Sequence, residues 1–219
     1  MGDFQGIIFD MDGVLVDSEP LFLSAMNRLI SADGADPFSD DEYEEYLLGT
    51  TVEETWRRVK DMRHLSASIP DYVERYDKVV RQLLREGLSP QPGVTNLLKE
   101  CVERRLPKAV ASSSLRSWVH LKLEAIKLQD AFDVVLGGDD VANGKPDPDI
   151  YRLAAQCLGL PPQSCVAIED SPVGIAAAVA SGAYTIAVRT HSTRNMDISQ
   201  AHTVLDSLEQ FDLSLLANG

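Results

Sequence analysis

Positive charge is in short supply in this 219-residue chain: 20 Lys+Arg stand against 34 Asp+Glu, a formal charge of −14. At that balance long-range electrostatics repel polyanions, which argues against non-specific nucleic-acid binding and attachment to anionic membranes. Cysteine is scarce too. Cys101, Cys157 and Cys165 lie in apolar contexts and form no C-x-x-C pair, so neither a disulfide framework nor a cysteine zinc site is expected. No apolar run is long enough to span a bilayer: the longest uncharged stretch, Ser171 to Val188, is broken by Pro172, Gly174 and Gly182. Near the start, Ile7-Ile8-Phe9 is too short for the apolar part of an export signal, and acids stand where such a signal carries bases. A cytoplasmic location is expected, and a monomer is favoured.

What is present is an ordinary globular composition, 44% hydrophobic and 25% charged, sufficient for a real core. Five short apolar runs recur: Gly6 to Phe9, Lys108 to Ala111, Asp133 to Leu136, Cys165 to Ile168 and Tyr184 to Val188, with His202 to Leu205 a weaker sixth. Between the later ones lie stretches of helical period, notably Val94, Leu97, Leu98, Cys101, Val102 and then Ile150, Tyr151, Leu153, Ala154, Cys157. Strands apolar on both faces, alternating with helices, predict an α/β fold with a doubly wound, Rossmann-like parallel sheet.

The alternation stops between the first two strands, and what fills the gap is helical and acidic. Leu21, Phe22, Ala25, Met26, Leu29 and Ile30 form one apolar stripe; Ile69, Tyr72, Val73, Tyr76, Val79, Val80, Leu83 and Leu84 form another, with Pro70 near its start and Gly87 past its end. An all-helical insertion at residues 18–88 is expected, with residues 1–17 and 89–219 making the α/β core. Trp56, Trp118 and the Tyr72/Tyr76 pair are expected to pack. The run Asp40 to Glu45 is expected to be a solvated helix start, and His64, His120, His191 and His202, which lack metal-ligand spacing, to lie on surfaces.

Residues with chemistry gather at the ends of the predicted strands, where open α/β sheets bind their ligands. The first strand runs into Asp10-Met11-Asp12-Gly13, a carboxylate pair in which one member can attack phosphorus while the other moves protons. Ser112-Ser113-Ser114 follows the second strand and opens a helix, an arrangement that binds phosphate oxygens or caps the helix. Lys145 sits in a loop before a helix as a point charge. Glu169-Asp170-Ser171-Pro172 follows the fourth strand, offering hard oxygen donors suited to Mg2+ or acids that favour a helix N-terminus. Each cluster alone has an ordinary structural explanation; all four in this order at strand ends do not.

In that order the chain resembles the haloacid dehalogenase-like hydrolases. Asp10 to Val14 looks like their first motif, Ser112 their second, Lys145 their third and Glu169 to Gly174 their fourth, and the helical insertion is similar to the cap of the branch holding β-phosphoglucomutase and small-molecule phosphatases. The resemblance implies Asp10 as the nucleophile that becomes an aspartyl phosphate and Asp12 as the acid that protonates the leaving oxygen and then the base for hydrolysis. It implies Mg2+ held by the Asp10 side chain, the Asp12 backbone carbonyl and Asp170, with Glu169 a ligand directly or through water. Ser112, helped by Ser113, and Lys145 would hold the phosphoryl group. Asp12 argues against dehalogenation, because a halide leaves without a proton.

The expected substrate is a small phosphorylated metabolite, a sugar phosphate or similar, with Glu19, Gly49 and Thr50 of the insertion facing it. A phosphosugar mutase of the β-phosphoglucomutase type is the alternative. Its cap histidine and arginine have no counterpart in Asp17 to Phe22 or in Leu48 to Val52, which favours hydrolysis. A receiver-like, phosphorylation-switched binding module would also place acids and a lysine at strand ends, but without the Asp10/Asp12 spacing or an insertion.

Overall fold

The structure, a computed structural model, describes residues 4–47, 50–191 and 193–213. Among these, the chain divides into two compact units: the stretch up to Asp17 together with the stretch from Leu88 onward, and Ser18–Gly87.

The first unit is built on six strands, β1 (Gly6–Phe9), β2 (Lys108–Ala111), β3 (Val134–Leu136), β4 (Cys165–Glu169), β5 (Tyr184–Val188) and β6 (Thr203–Leu205). All pair in parallel, in the order β3-β2-β1-β4-β5-β6. The chain therefore builds outward from β1 to one edge and then returns to build the other half from β4. This puts the topological switch point between β1 and β4, where the first and last of the expected motifs end. Three strand bounds differ from the periodicity, β6 beginning at Thr203 rather than His202. β3 starts at Val134, since the Asp133 side chain instead accepts a hydrogen bond from the Lys108 backbone N–H at 2.8 Å. β4 runs one residue further, because Glu169 still pairs with Ala187 of β5.

Alternation along β1 sends its side chains to two different cores. Ile7 and Phe9 join Val110, Val166, Ile168 and Ile186 under α5 (Val94–Glu103) and α6 (Arg116–Ala125). Ile8 joins Ala109, Ala111 and Ala167 under α7 (Asp149–Cys157) and α8 (Pro172–Ser181). The second face is lined by alanines on both sides of the contact, Ala177 and Ala178 included, so its helices approach the strands closely enough for a tyrosine of α7 to reach the end of β4.

The second unit holds four helices, numbered from the N-terminus αA (Glu19–Ala32), αB (Asp40–Tyr46), αC (Val52–Arg63) and αD (Ile69–Glu86). Their starts are capped as the sequence suggests: the Ser39 side chain accepts from the Glu42 N–H while the Glu42 carboxylate accepts from the Ser39 N–H, and Thr51 and Ser68 each accept from the N–H three residues on. The acidic run of αB has no buried residue, and Glu42 also takes the Arg63 guanidinium at 3.0 Å. Packing centres on Trp56, 1% exposed, with its ring stacked on Tyr72 at 4.8 Å and meeting Tyr76 edge-on at 5.4 Å. Of the αA stripe, Phe22 is only half-buried, and Leu23, which lies outside that stripe, is buried. Arg75 and the Tyr72 hydroxyl both grip Asp33, tying αD to the end of αA.

Trp56 Nε1 has no hydrogen-bond partner among the described residues, so its contribution is volume rather than a polar bond. Trp56→Ala should cost about 3–5 kcal/mol in urea unfolding, and Trp56→Phe clearly less. Equal losses for the two would show that the indole N–H matters.

Candidate active site

Asp10 directly follows β1, and its backbone N–H still donates to Ile168 O at 2.9 Å, so the side chain is delivered to the sheet edge by a rigid strand. The chain then turns tightly. Leu15 and Val16 N–H groups donate to Met11 O, and Gly13, at φ 85°, donates to Val16 O. Gly13 is required twice over: the left-handed backbone disfavours a side chain, and a Cβ there would lie 2.0 Å from Asp170 Oδ2. Gly174, in the first turn of α8, plays the same part for the other acid, since its Cβ would fall 1.7 Å from Glu169 Oε1. The fourth motif thus carries its glycine five residues after the glutamate because the carboxylate occupies that space.

Lys145 is the hub. Its Nζ donates to Asp10 Oδ1 at 2.6 Å, to Glu169 Oε1 at 2.6 Å and to Ala111 O at 3.0 Å. Glu169 Oε1 also accepts from the Tyr151 hydroxyl at 2.7 Å, and Oε2 from the N–H groups of Asp170 and Ser171 and from the Ser171 hydroxyl. Asp170 Oδ2 accepts from the Thr190 hydroxyl at 3.1 Å. Ligand atoms of Asp10, Glu169 and Asp170 all lie within 4.8 Å of one another, all three residues buried, a grouping able to hold a metal ion.

The charges do not balance within the cluster. Burial, with Glu169 and Asp12 adding to it, pushes Asp10 up to about 7 despite the opposing Lys145. Burial likewise drives Asp170 well above the usual carboxylate range, reinforced by Glu169 and Asp10. Glu169 goes the other way: burial would raise it, but Lys145, Tyr151 and the Ser171 N–H hold it below its ordinary value. For Lys145 the cost of burial is outweighed by its two carboxylates, which raise its value. One ammonium thus keeps Glu169 ionised and leaves Asp10 and Asp170 short of a counter-charge. A divalent cation fits this deficit, and hard carboxylate oxygens are suited to Mg2+.

The hydroxyls after β2 separate by role. Ser112 is buried and its Oγ accepts from the Ser114 N–H at 3.1 Å. Ser113 is exposed, with no side-chain hydrogen bond described. Ser114 instead reaches the first motif, donating to Asp12 Oδ2 at 3.1 Å. Asp12 also meets Lys122 Nζ, at 2.5 and 2.7 Å from its two carboxylate oxygens. From the sequence, Ser114 is only part of the serine run and Tyr151 only a helix-face residue, and Lys122 and Thr190 are passed over. For Lys122 a signal exists: it shares the helical face of Trp118, Val119 and Leu123, all buried, where a lysine needs a partner.

In the helical unit, Glu19 accepts from the Tyr43 hydroxyl at 2.7 Å, and the Thr50 hydroxyl donates to Leu47 O at 2.7 Å. Gly49 lies outside the described residues. His64, His120, His191 and His202 are exposed, and the three cysteines are free. No described helix is long and apolar enough to cross a membrane.

An α/β enzyme with an acidic, cation-accepting centre is the class that fold and site define. Residues 7–188 match the family described as haloacid dehalogenase-like hydrolase, and the chain belongs to that family. It is 32% identical over 188 residues to the Phosphorylated carbohydrates phosphatase of Thermotoga maritima, covering 86% of both chains. To Hexitol phosphatase A of Escherichia coli it is 30% identical over 219 residues, covering 98% of this chain and 96% of that one. Among solved structures, CbbY from Rhodobacter sphaeroides is 32% identical over 94% of this chain and 96% of its own; its complex with xylulose-(1,5)bisphosphate has a TM-score of 0.83 and its complex with phosphate 0.84.

Asp10 and Asp170 have folded-state values above their unfolded ones, so their stabilising protons are fully bound below the unfolded value and are lost as pH rises, for Asp10 through about 7. The thermal midpoint of the metal-free protein should therefore fall between about pH 5 and about pH 8, and MgCl2 should raise it more at about pH 8 than at about pH 6. Equal increments at the two pH values would mean that the cation binds elsewhere. Gly174→Ala should cost about 1–3 kcal/mol and remove the MgCl2 increment. Gly144→Ala, where a Cβ meets nothing within 4 Å, is the control that should keep it.

Proposed function

We propose that this protein is a Mg2+-dependent phosphatase that hydrolyses a small sugar phosphate or polyol phosphate. The observation that carries this reading is the Lys145 bridge between Asp10 and Glu169 at the switch point, with Asp170 grouped beside them and Asp12 two residues beyond the nucleophile candidate. Asp10 attacks the phosphorus, the ester P–O bond breaks, and the departing alkoxide takes its proton from Asp12. Asp12, now a carboxylate, accepts a proton from water as its oxygen attacks the phosphorus of the aspartyl phosphate, releasing phosphate and restoring Asp10. Lys145 and Ser112 hold the phosphoryl oxygens, with Ser113 as an additional hydroxyl. Asp10, Asp170 and the Asp12 carbonyl would hold Mg2+; Glu169, both of whose oxygens already accept from protein donors, acts through water. Bound there, Mg2+ supplies charge neutralisation of the transferring phosphoryl group.

The helical insertion, residues 18–88, is the specificity-determining cap in this reading, and Glu19, Gly49 and Thr50 are its first residues to test. The names of the relatives, phosphatases of phosphorylated carbohydrates and hexitols, and the bisphosphate bound to CbbY support a sugar-phosphate substrate.

The purified protein with MgCl2 should release inorganic phosphate from at least one member of a panel of phosphorylated sugars and polyols. EDTA should stop release, and Asp10→Asn should abolish it. Sustained turnover by Asp10→Asn would overturn the mechanism. Phosphorus NMR of β-glucose 1-phosphate separates the mutase alternative, which would accumulate glucose 6-phosphate instead of phosphate.

A further inference from the structure

Lys122 is 0% exposed, yet it is a lysine in the middle of an apolar helix face. Withdrawing an ammonium from water costs several kcal/mol, and buried ion pairs are commonly replaced by hydrophobic residues without loss of stability. Stability therefore gives no reason for a lysine here. Its contacts do. The two Asp12 oxygens lie 2.5 and 2.7 Å from Nζ, the Ser114 hydroxyl lies 3.1 Å from Nζ, and that hydroxyl lies 3.1 Å from Asp12 Oδ2. These contacts form a triangle whose hydrogen-bond donors, Lys122 and Ser114, are different from those of the Lys145 cluster. Asp12 stands on a tight turn with its side chain 26% exposed, and these contacts tie its carboxylate to the strand-end serine run and to α6.

Resting on the phosphatase reading above, we infer that Lys122 is a positioning residue for proton transfer. With Ser114 it holds the Asp12 side chain in one orientation, so that as a carboxylic acid it gives its proton to the leaving alkoxide and, as the resulting carboxylate, takes one from the attacking water. Lys122 itself touches neither substrate nor phosphorus. A loosely held acid/base slows both proton transfers and leaves binding of the phosphate ester unchanged, since Lys145 and the hydroxyl after β2 remain in place.

The test uses Lys122→Met, which keeps the volume and removes the charge, with p-nitrophenyl phosphate as probe and MgCl2 present. Expected are a kcat lower by about 10²-fold and a KM within about threefold of the starting protein. Nitrophenolate departs without needing a proton, whereas hydrolysis of the aspartyl phosphate still needs Asp12. Stopped-flow traces of Lys122→Met should therefore show a burst approaching one nitrophenolate per protein. Asp12→Asn should lower kcat by about 10²- to 10⁴-fold, and adding Lys122→Met to it should change kcat by less than about twofold, because Lys122 acts only through Asp12. Ser114→Ala, which removes the other arm of the triangle, should show the same split at about tenfold and serves if Lys122→Met does not fold. An undiminished kcat, a loss confined to KM, or an equal factor in the Asp12→Asn background would each overturn the inference. Full activity of Asp12→Asn would instead overturn the phosphatase mechanism itself.

Discussion

The ammonium of Lys145 is within hydrogen-bond reach of two carboxylates at the ends of two buried, adjacent strands, and the whole site is organised by the shortage of positive charge around it. Among the described residues three acids converge there, and Lys145 is ion-paired with two of them. In water such a cluster would be trivial; at the edge of a sheet covered on both faces, each uncompensated charge is expensive. Lys145 is shared by Asp10 and Glu169, but Tyr151 and the Ser171 donors add to Glu169 alone, which leaves Asp10 and Asp170 under-compensated. That imbalance suits a group of carboxylates able to hold a metal ion, and it sets Glu169 apart from Asp10 and Asp170.

The backbone is built to let these groups meet. The strand order places β1 beside β4 with the chain reversing its direction of growth between them, so Asp10 and Glu169 arrive at the same level from residues 159 positions apart in sequence. Glycines at 13 and 174 vacate the space that the Asp170 and Glu169 carboxylates fill. The alanine-lined face lets α7 lie close, and from there Tyr151 reaches Glu169. The apolar core and the charged site are in this sense one construction: small residues under the sheet decide which polar side chains can reach its edge.

Much of this was legible in the sequence. The strands stand where runs of β-branched and small residues place them, to within a residue, because both faces of a parallel sheet are buried and such strands announce themselves as continuous apolar runs. Asp10, Lys145, Glu169 and Asp170 were legible because their spacing relative to those runs puts them at one edge. Less visible was which hydroxyl serves which acid. Ser112, Ser113 and Ser114 are equivalent as letters, but the chain's path after β2 buries the first, exposes the second and turns the third toward Asp12.

By itself, then, the sequence determined the parallel sheet, the helical insertion and the convergence of acids and a lysine on one edge, since local periodicity and strand-end position carry that information. Only the tertiary structure decided the partners: Lys145 with Asp10 and Glu169, Lys122 and Ser114 with Asp12, Tyr151 with Glu169, Thr190 with Asp170. Those pairings join residues of different elements far apart in the chain, and a buried charge takes as its counter-ion whatever the packing of helices on the sheet brings within about 3 Å, which no local pattern records.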